Sequence, residues 1–225
     1  MTLTVTQALT QRISTRAFLP TPVPEATVRA ILDVARWSPS GGNLQPWHVV
    51  VLTGEPLAAL MADVAQQQQT RPLGDGQEVE IYPKDLKEPY RSRRFRVGEM
   101  MYELLGIPRE DKLGRLGQMA RNFTFFGAPV ALFFALDRQM GRNQWAHLGM
   151  FMQSIMLAAE EQGLATCAQE AWCLWPNTVR RHTGIGDDLA LYCGMALGHA
   201  DRSAVVNRLR SERDPVDAFA TFKGF

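Results

Sequence analysis

The segment from residue 143 to 162 limits most strongly how this chain can fold. It reads as its longest helix, and Trp145, Leu148, Phe151, Met152, Ile155, Met156 and Leu157 make it apolar on most of its circumference. Such a helix needs neighbours on several sides, so it belongs at the centre of the fold, in core or in an interface rather than in a substrate groove. Around it stand four short apolar runs, at residues 48–52, 130–136, 165–169 and 189–197. Their length and composition read as strands, the first two buried, and His48 in the first then reads as a satisfied core histidine. Few strands and much helix, without regular alternation, predict a mixed α+β domain. At 225 residues the chain can bury a sizeable core without disulfides, and no repeat or linker divides it, so residues 1–225 are expected to form a single domain.

Further helices are expected where apolar residues recur at helical spacing. Val28, Ile31, Leu32 and Ala35 follow Pro24, and Leu57, Leu60, Met61 and Val64 mark a second such helix, whose glutamines 66–69 read as a solvated end. Gly163 stops the long helix. Residues 71–90 have no clear period and hold Pro72, Gly74, Gly76, Pro83 and Pro89; with the helix start behind them they make 71–98 a candidate lid. Arg91, Arg93, Arg94 and Arg96 lie on that helix, either as a solvated face or as local steering for a carboxylate or for nicotinamide-cofactor phosphates. The tail, 201–225, carries Phe219, Phe222 and Phe225 with too little apolar surface to fold alone. It is expected to wrap a partner subunit.

Two short stretches carry chemistry. The first, Arg12-Ile13-Ser14-Thr15-Arg16, places two guanidinium groups four residues apart with hydroxyls between them, the donor set that a phosphate monoester requires. The second runs Ser38-Pro39-Ser40-Gly41-Gly42-Asn43-Leu44-Gln45-Pro46-Trp47. Its glycines and prolines forbid regular structure, and its Ser, Asn and Gln side chains offer neutral donors and acceptors to a flat ligand.

In this order and spacing the two stretches resemble the nitroreductase family of FMN-dependent oxidoreductases. The resemblance continues through Gly163 to Trp172 and Asn207 to Pro215, and is nearest to a nitrobenzoate-reductase-like branch at residues 120–129 and 149–159. It implies a central, mostly antiparallel sheet flanked by helices, in an intertwined homodimer with exchanged C-terminal tails. It also implies FMN as cofactor, NAD(P)H as co-substrate and a small aromatic acceptor, a nitroaromatic or a quinone, reduced by ping-pong hydride transfer. By the same resemblance Arg12, Ile13, Ser14 and Arg16 hold the flavin phosphate with Arg210 or Arg213 of the tail. Pro39, Ser40, Gly41, Asn43 and Gln45 of the second subunit line the ring, and Gln169, Glu170 and Ala171 approach its N5 edge. No side-chain acid or base is assigned to catalysis; Glu170 lies near N5, and solvent supplies protons. The same scaffold would also serve reductive dehalogenation or reduction of activated alkenes, and a non-catalytic FMN-binding protein is the alternative outside enzymes.

Other chemistries are not supported. Gly184-Ile-Gly186 lacks the third glycine of a dinucleotide fingerprint, and there is no P-loop and no Gly-x-Ser-x-Gly elbow. His48, His147, His182 and His199 are scattered without metal-ligand spacing, so no metal is expected. Cys167, Cys173 and Cys193 read as reduced, buried thiols. Twenty-four basic against 23 acidic residues give no global pull toward nucleic acid or membrane. With neither a signal segment nor a membrane span legible, a cytoplasmic location is expected.

Overall fold

A computed structural model describes residues 3–225, and at its centre four strands make one antiparallel sheet. They are β1 (Trp47–Thr53), β2 (Val130–Asp137), β3 (Ala165–Gln169) and β4 (Leu189–Gly198), in the spatial order β1-β2-β4-β3. Side chains alternate across β2 with the two-residue period of a strand. Ala131, Phe133 and Ala135 enter one core; Val130, Leu132, Phe134 and Leu136 enter the other. The sheet is thus buried on both faces.

The second core is closed by α2 (Glu25–Ala35) and α6 (Arg142–Glu161), the long apolar helix, which ends where Gly163 takes a left-handed φ of 71°. The first is closed by α3 (Gly54–Gln68) and α7 (Pro176–Thr183). Sequence periodicity had not marked α7, although Pro176 in its first turn and Gly184 at φ 72° behind it are its start and stop signals. Asp63 of α3 joins the two helices: His182 Nε2 lies 2.9 Å from Oδ2, and Arg181 Nη2 donates to the same oxygen at 3.0 Å. The glutamines ending α3 are therefore not all solvated, since Gln67 donates to Asp63 at 2.7 Å and to Thr178 at 2.8 Å. Around this body lie α1 (Val5–Gln11), α4 (Tyr90–Leu104) and α5 (Lys112–Ala120).

β1 corrects one expectation. It lies at the sheet edge, paired with β2 alone, and only Leu52 of its seven residues is buried. His48 accordingly is exposed and is not a core histidine.

A compact aromatic group packs against β2 and β4. Trp172 is fully buried, stacked on Phe125 at 4.7 Å and met edge-on by Phe133 at 5.2 Å. Phe125 and Phe126 hold left-handed φ values of 47° and 54°, which cost about 1–2 kcal/mol each for residues with a Cβ. Burying two phenylalanine rings offsets that cost at about 1.5–3 kcal/mol each.

Candidate functional site

The chain leaves α1 at Arg12 and runs along β3: Thr15 N–H donates to Thr166 O at 3.0 Å, in a parallel bridge between Ser14 and Thr166. The tail is fastened to the same segment. Asn207 Oδ1 accepts from Arg16 N–H at 2.8 Å, while its Nδ2 donates to Ala17 O and Asp201 O, each at 2.8 Å. Arg210 Nη1 donates to Gln11 O at 2.5 Å. These bonds bring Arg12, Ile13, Ser14 and Arg16 together with Arg210 and Arg213 around one cleft of about 370 Å³. Arg12 Nε is buried without a partner among the described residues, Arg16 Nη1 donates to Ser14 O, and Arg213 Nη1 folds back onto Ser211. A guanidinium has five N–H donors, so each keeps several for an anion. Both tail arginines, Arg210 and Arg213, line the cleft.

The loop at 38–47 is held by α6. Ser38 Oγ donates to Ser154 Oγ at 2.7 Å, Gly41 N–H donates to His147 Nε2 at 3.4 Å, and Trp47 stacks on Phe151 at 4.6 Å with an interplanar angle of 4°. Residues 147, 151 and 154 share one helix face, being four and seven apart. Within the loop Ser40 Oγ accepts from Gln45 N–H, and Asn43 and Gln45 hold φ values of 53° and 47°. Pro39, Ser40, Gly41, Asn43 and Gln45 do not line the cleft in a single chain. His147 and Ser154 were missed in the sequence, because their role depends on a helix turning them toward a loop more than a hundred residues away.

At the end of β3, Gln169 is buried, with Nε2 donating to Asn122 O at 2.7 Å and Oε1 left unpartnered. Glu170 follows in a 3-10 turn with Ala171. Its carboxylate is half-buried, 3.4 Å from Tyr192 OH, and burial pushes its pKa above the usual range against the pull of that hydroxyl. Tyr192 stands at a bulge in β4, between Leu191 and Cys193, which face consecutive residues of β2. All three cysteines are buried free thiols; desolvation pushes Cys167 up to about 11 and Cys173 to about 12, so neither is poised as a nucleophile.

The irregular segment is fixed at its base. Asp75 accepts from the N–H groups of Asn177 and Thr178 at 3.1 and 2.6 Å, capping α7, and Glu78 pairs with Arg180 at 2.9 Å and Arg138 at 2.7 Å. Residues 90–98 of the candidate lid belong to α4. The arginines of α4 are largely committed: Arg91 to Glu88, Arg93 to Asp214 and Arg96 to Glu212. The guanidinium carbon of Arg94 instead stands over the Tyr82 ring, 4.0 Å from its centroid.

Against known proteins, residues 9–199 match the model of the Nitroreductase family. The chain belongs to the nitroreductase family. It is 39% identical to a 4-nitrobenzoate reductase of Pseudomonas putida over 95% of this chain and 93% of that protein. The fold matches the crystal structure of an FMN and NADPH-dependent nitroreductase NfnB from sphigopyxis sp. strain HMH with a TM-score of 0.96, at 46% identity, covering 99% of this chain and all of that one. It also matches the FMN-dependent NfnB of Mycobacterium smegmatis in complex with NADPH, with a TM-score of 0.92 at 27% identity over 97% of each chain. As a member of the family the chain has the α+β nitroreductase fold expected from its motifs, with its sheet wholly antiparallel. Among the described residues no helix is long and apolar enough to cross a membrane.

Proposed function

We propose that this chain is an FMN-dependent oxidoreductase that uses NAD(P)H to reduce nitroaromatic or quinone acceptors and works as a homodimer. The observation that carries this reading is the convergence of Arg12, Ser14, Arg16, Arg210 and Arg213 on one cleft. Four guanidinium groups and a hydroxyl suit the phosphate of a flavin mononucleotide, and the unpartnered Arg12 Nε gives that anion a buried donor to meet. Relatives named as FMN and NADPH-dependent nitroreductases and as a 4-nitrobenzoate reductase support the same chemistry.

In this reading Arg12, Ser14 and Arg16, with Arg210 and Arg213, bind the phosphate. Gln169, Glu170 and Ala171 orient the reactive edge through their backbone. The loop from Pro39 to Gln45 of the second subunit covers the ring and excludes water, held in shape by α6. When bound, FMN would supply the redox chemistry that links oxidation of NAD(P)H to reduction of the acceptor. Solvent supplies the protons.

A second copy is the proposed occupant of an apolar groove of about 350 Å³ that includes Val5, Ala8, Val34, Trp37 and Leu157. Trp37 is 78% exposed at its rim, next in sequence to the loop that this reading assigns to the partner's flavin. An exposed apolar patch of this kind marks an association surface.

The test is the visible spectrum of the purified protein before and after anaerobic addition of NADPH or NADH. A flavin spectrum that bleaches and returns on addition of 4-nitrobenzoate supports both half-reactions. Failure to bind FMN overturns the reading, and reoxidation only by halogenated phenols or enones changes the substrate class.

A further inference from the structure

Asp75 belongs to the irregular segment, yet each of its polar atoms is bonded to a residue between 174 and 178. Its N–H donates to Leu174 O at 2.9 Å, and its own carbonyl accepts from Asn177 Nδ2 at 2.6 Å. Oδ1 accepts from Asn177 N–H at 3.1 Å, and Oδ2 accepts from the N–H and the hydroxyl of Thr178, each at 2.6 Å. A segment that only ran over the surface would leave such groups to water. The glycines on either side allow the close approach. A Cβ on Gly74 would fall 2.0 Å from Leu174 O, and one on Gly76 2.9 Å from Asn177 Nδ2; both hold positive φ, 97° and 140°.

Further along, Glu78 takes both prongs of Arg180 at 2.9 Å each, and Arg180 Nη2 donates in turn at 2.5 Å to the carbonyl of Leu189, where β4 begins. Residues 74–78 thus form a strap tied at both ends. What it holds gives it a role. Leu174 closes the 3-10 turn Glu170–Leu174, whose first residues carry the backbone assigned to the reactive edge of the flavin. The core side of this turn is anchored by the fully buried Trp172, and its end by Asp75. At three residues per turn Ala171 and Leu174 are one turn apart, so a shift at one moves the other. The second tie leads to the same place, because β4 carries Tyr192, whose hydroxyl lies 3.4 Å from the Glu170 carboxylate.

We propose that Asp75 is a positioning residue that fixes the 3-10 turn against the reactive edge of the flavin, with residues 74–78 as a rigid strap rather than the moving part of a lid. This rests on the nitroreductase reading above and adds to it a residue that does not line the phosphate cleft.

The test compares the flavin-loaded protein with Asp75→Ala, Asp75→Asn, Gly74→Ala and Asp63→Asn, reading the midpoint potential of the bound flavin and the rate of its anaerobic reduction by saturating NADPH. Asp75→Ala and Gly74→Ala are expected to shift the potential and to slow reduction about tenfold, since misplacing reacting groups by an ångström costs up to about a hundredfold. Asp75→Asn keeps one acceptor oxygen and recovers part of the loss; should Asp75→Ala fail to fold, it carries the same comparison. Asp63→Asn loosens α7 at its other end, through Arg181 and His182, and is expected to leave both readings at the wild-type value. Unchanged readings in the Asp75 variants, or an equal change in Asp63→Asn, overturn the assignment. Amide hydrogen exchange of the unloaded proteins is measured alongside. Faster exchange across residues 170–174 is expected in Asp75→Asn, and an unaltered pattern there also overturns the assignment. If the wild-type protein binds no FMN, the functional reading fails instead, and the exchange measurement still decides whether Asp75 holds the turn.

Discussion

Two residues show how far chemistry here departs from what stability alone would choose. Arg12 keeps Nε buried without a partner, and an unsatisfied buried donor costs about 1–3 kcal/mol. A ligand anion would remove that cost, so Arg12→Gln is expected to weaken FMN binding by roughly ten- to a hundredfold, at about 1.5–3 kcal/mol for a charge-assisted bond, as read by a flavin fluorescence titration. Glu170 is the second. Its carboxyl is half-buried with no cation within ion-pair distance among the described residues, and burial raises its pKa above the value in the unfolded chain. A raised pKa means that the stability linked to this group is complete at low pH and is lost as pH rises through the folded value. Glu170→Gln is therefore expected to raise the urea midpoint at neutral to alkaline pH while leaving it unaltered in acid. If turnover instead lost a sharp acid limb in that variant, Glu170 would be supplying protons and the solvent-proton reading would fall.

At the scale of elements, much was legible because periodicity and breakers agree. The long helix, the strand around Val130–Asp137 and the stop at Gly163 follow from apolar spacing and from the freedom of glycine to take a positive φ. What could not be read was set by partners distant in sequence. β1 looked buried because its residues are apolar, yet nothing in its own sequence could say that a single strand flanks it. The helix Pro176–Thr183 lacked a clear apolar stripe, and its N-terminus is capped by Asp75 from the segment that reads as lid. Likewise the clamp residues were named from their motif, while the α6 residues that shape the loop, His147 and Ser154, carry no local signal. The α3–α7 junction gives this scale its prediction. The Asp63 pKa is lowered from 3.8 to about 2, first by its hydrogen bond with His182 and then by Gln67 and Arg181. A lowered carboxyl pKa contributes stability that is complete above 3.8 and is lost as pH falls toward 2. Asp63→Asn should flatten acid unfolding across that window, measured by circular dichroism against pH; a wild-type slope there would show the junction to be idle.

Across the whole molecule, the exposed apolar groove beside Trp37 and the separation of the loop from the phosphate cleft are accounted for together by the proposed homodimer, in which each site is completed by two chains. Trp37→Glu places a charge on that surface and is expected to weaken dimer association by at least about tenfold, the scale of losing one interface anchor. Sedimentation equilibrium would report the dissociation, and flavin content should fall with it. A monomer that retained stoichiometric FMN would refute the shared site.

The proposed clamp is drawn from opposite ends of the polypeptide, since Arg210 bonds back to Gln11 across 199 positions. A ribosome that has just released Gly198 has finished the sheet, but only half of the anion site exists. Domains begin to fold while they are being made, and the cofactor would have to wait for the final stretch. Loading thus becomes a test of completed translation: a chain that stops early could still assemble its core, yet would stay colourless.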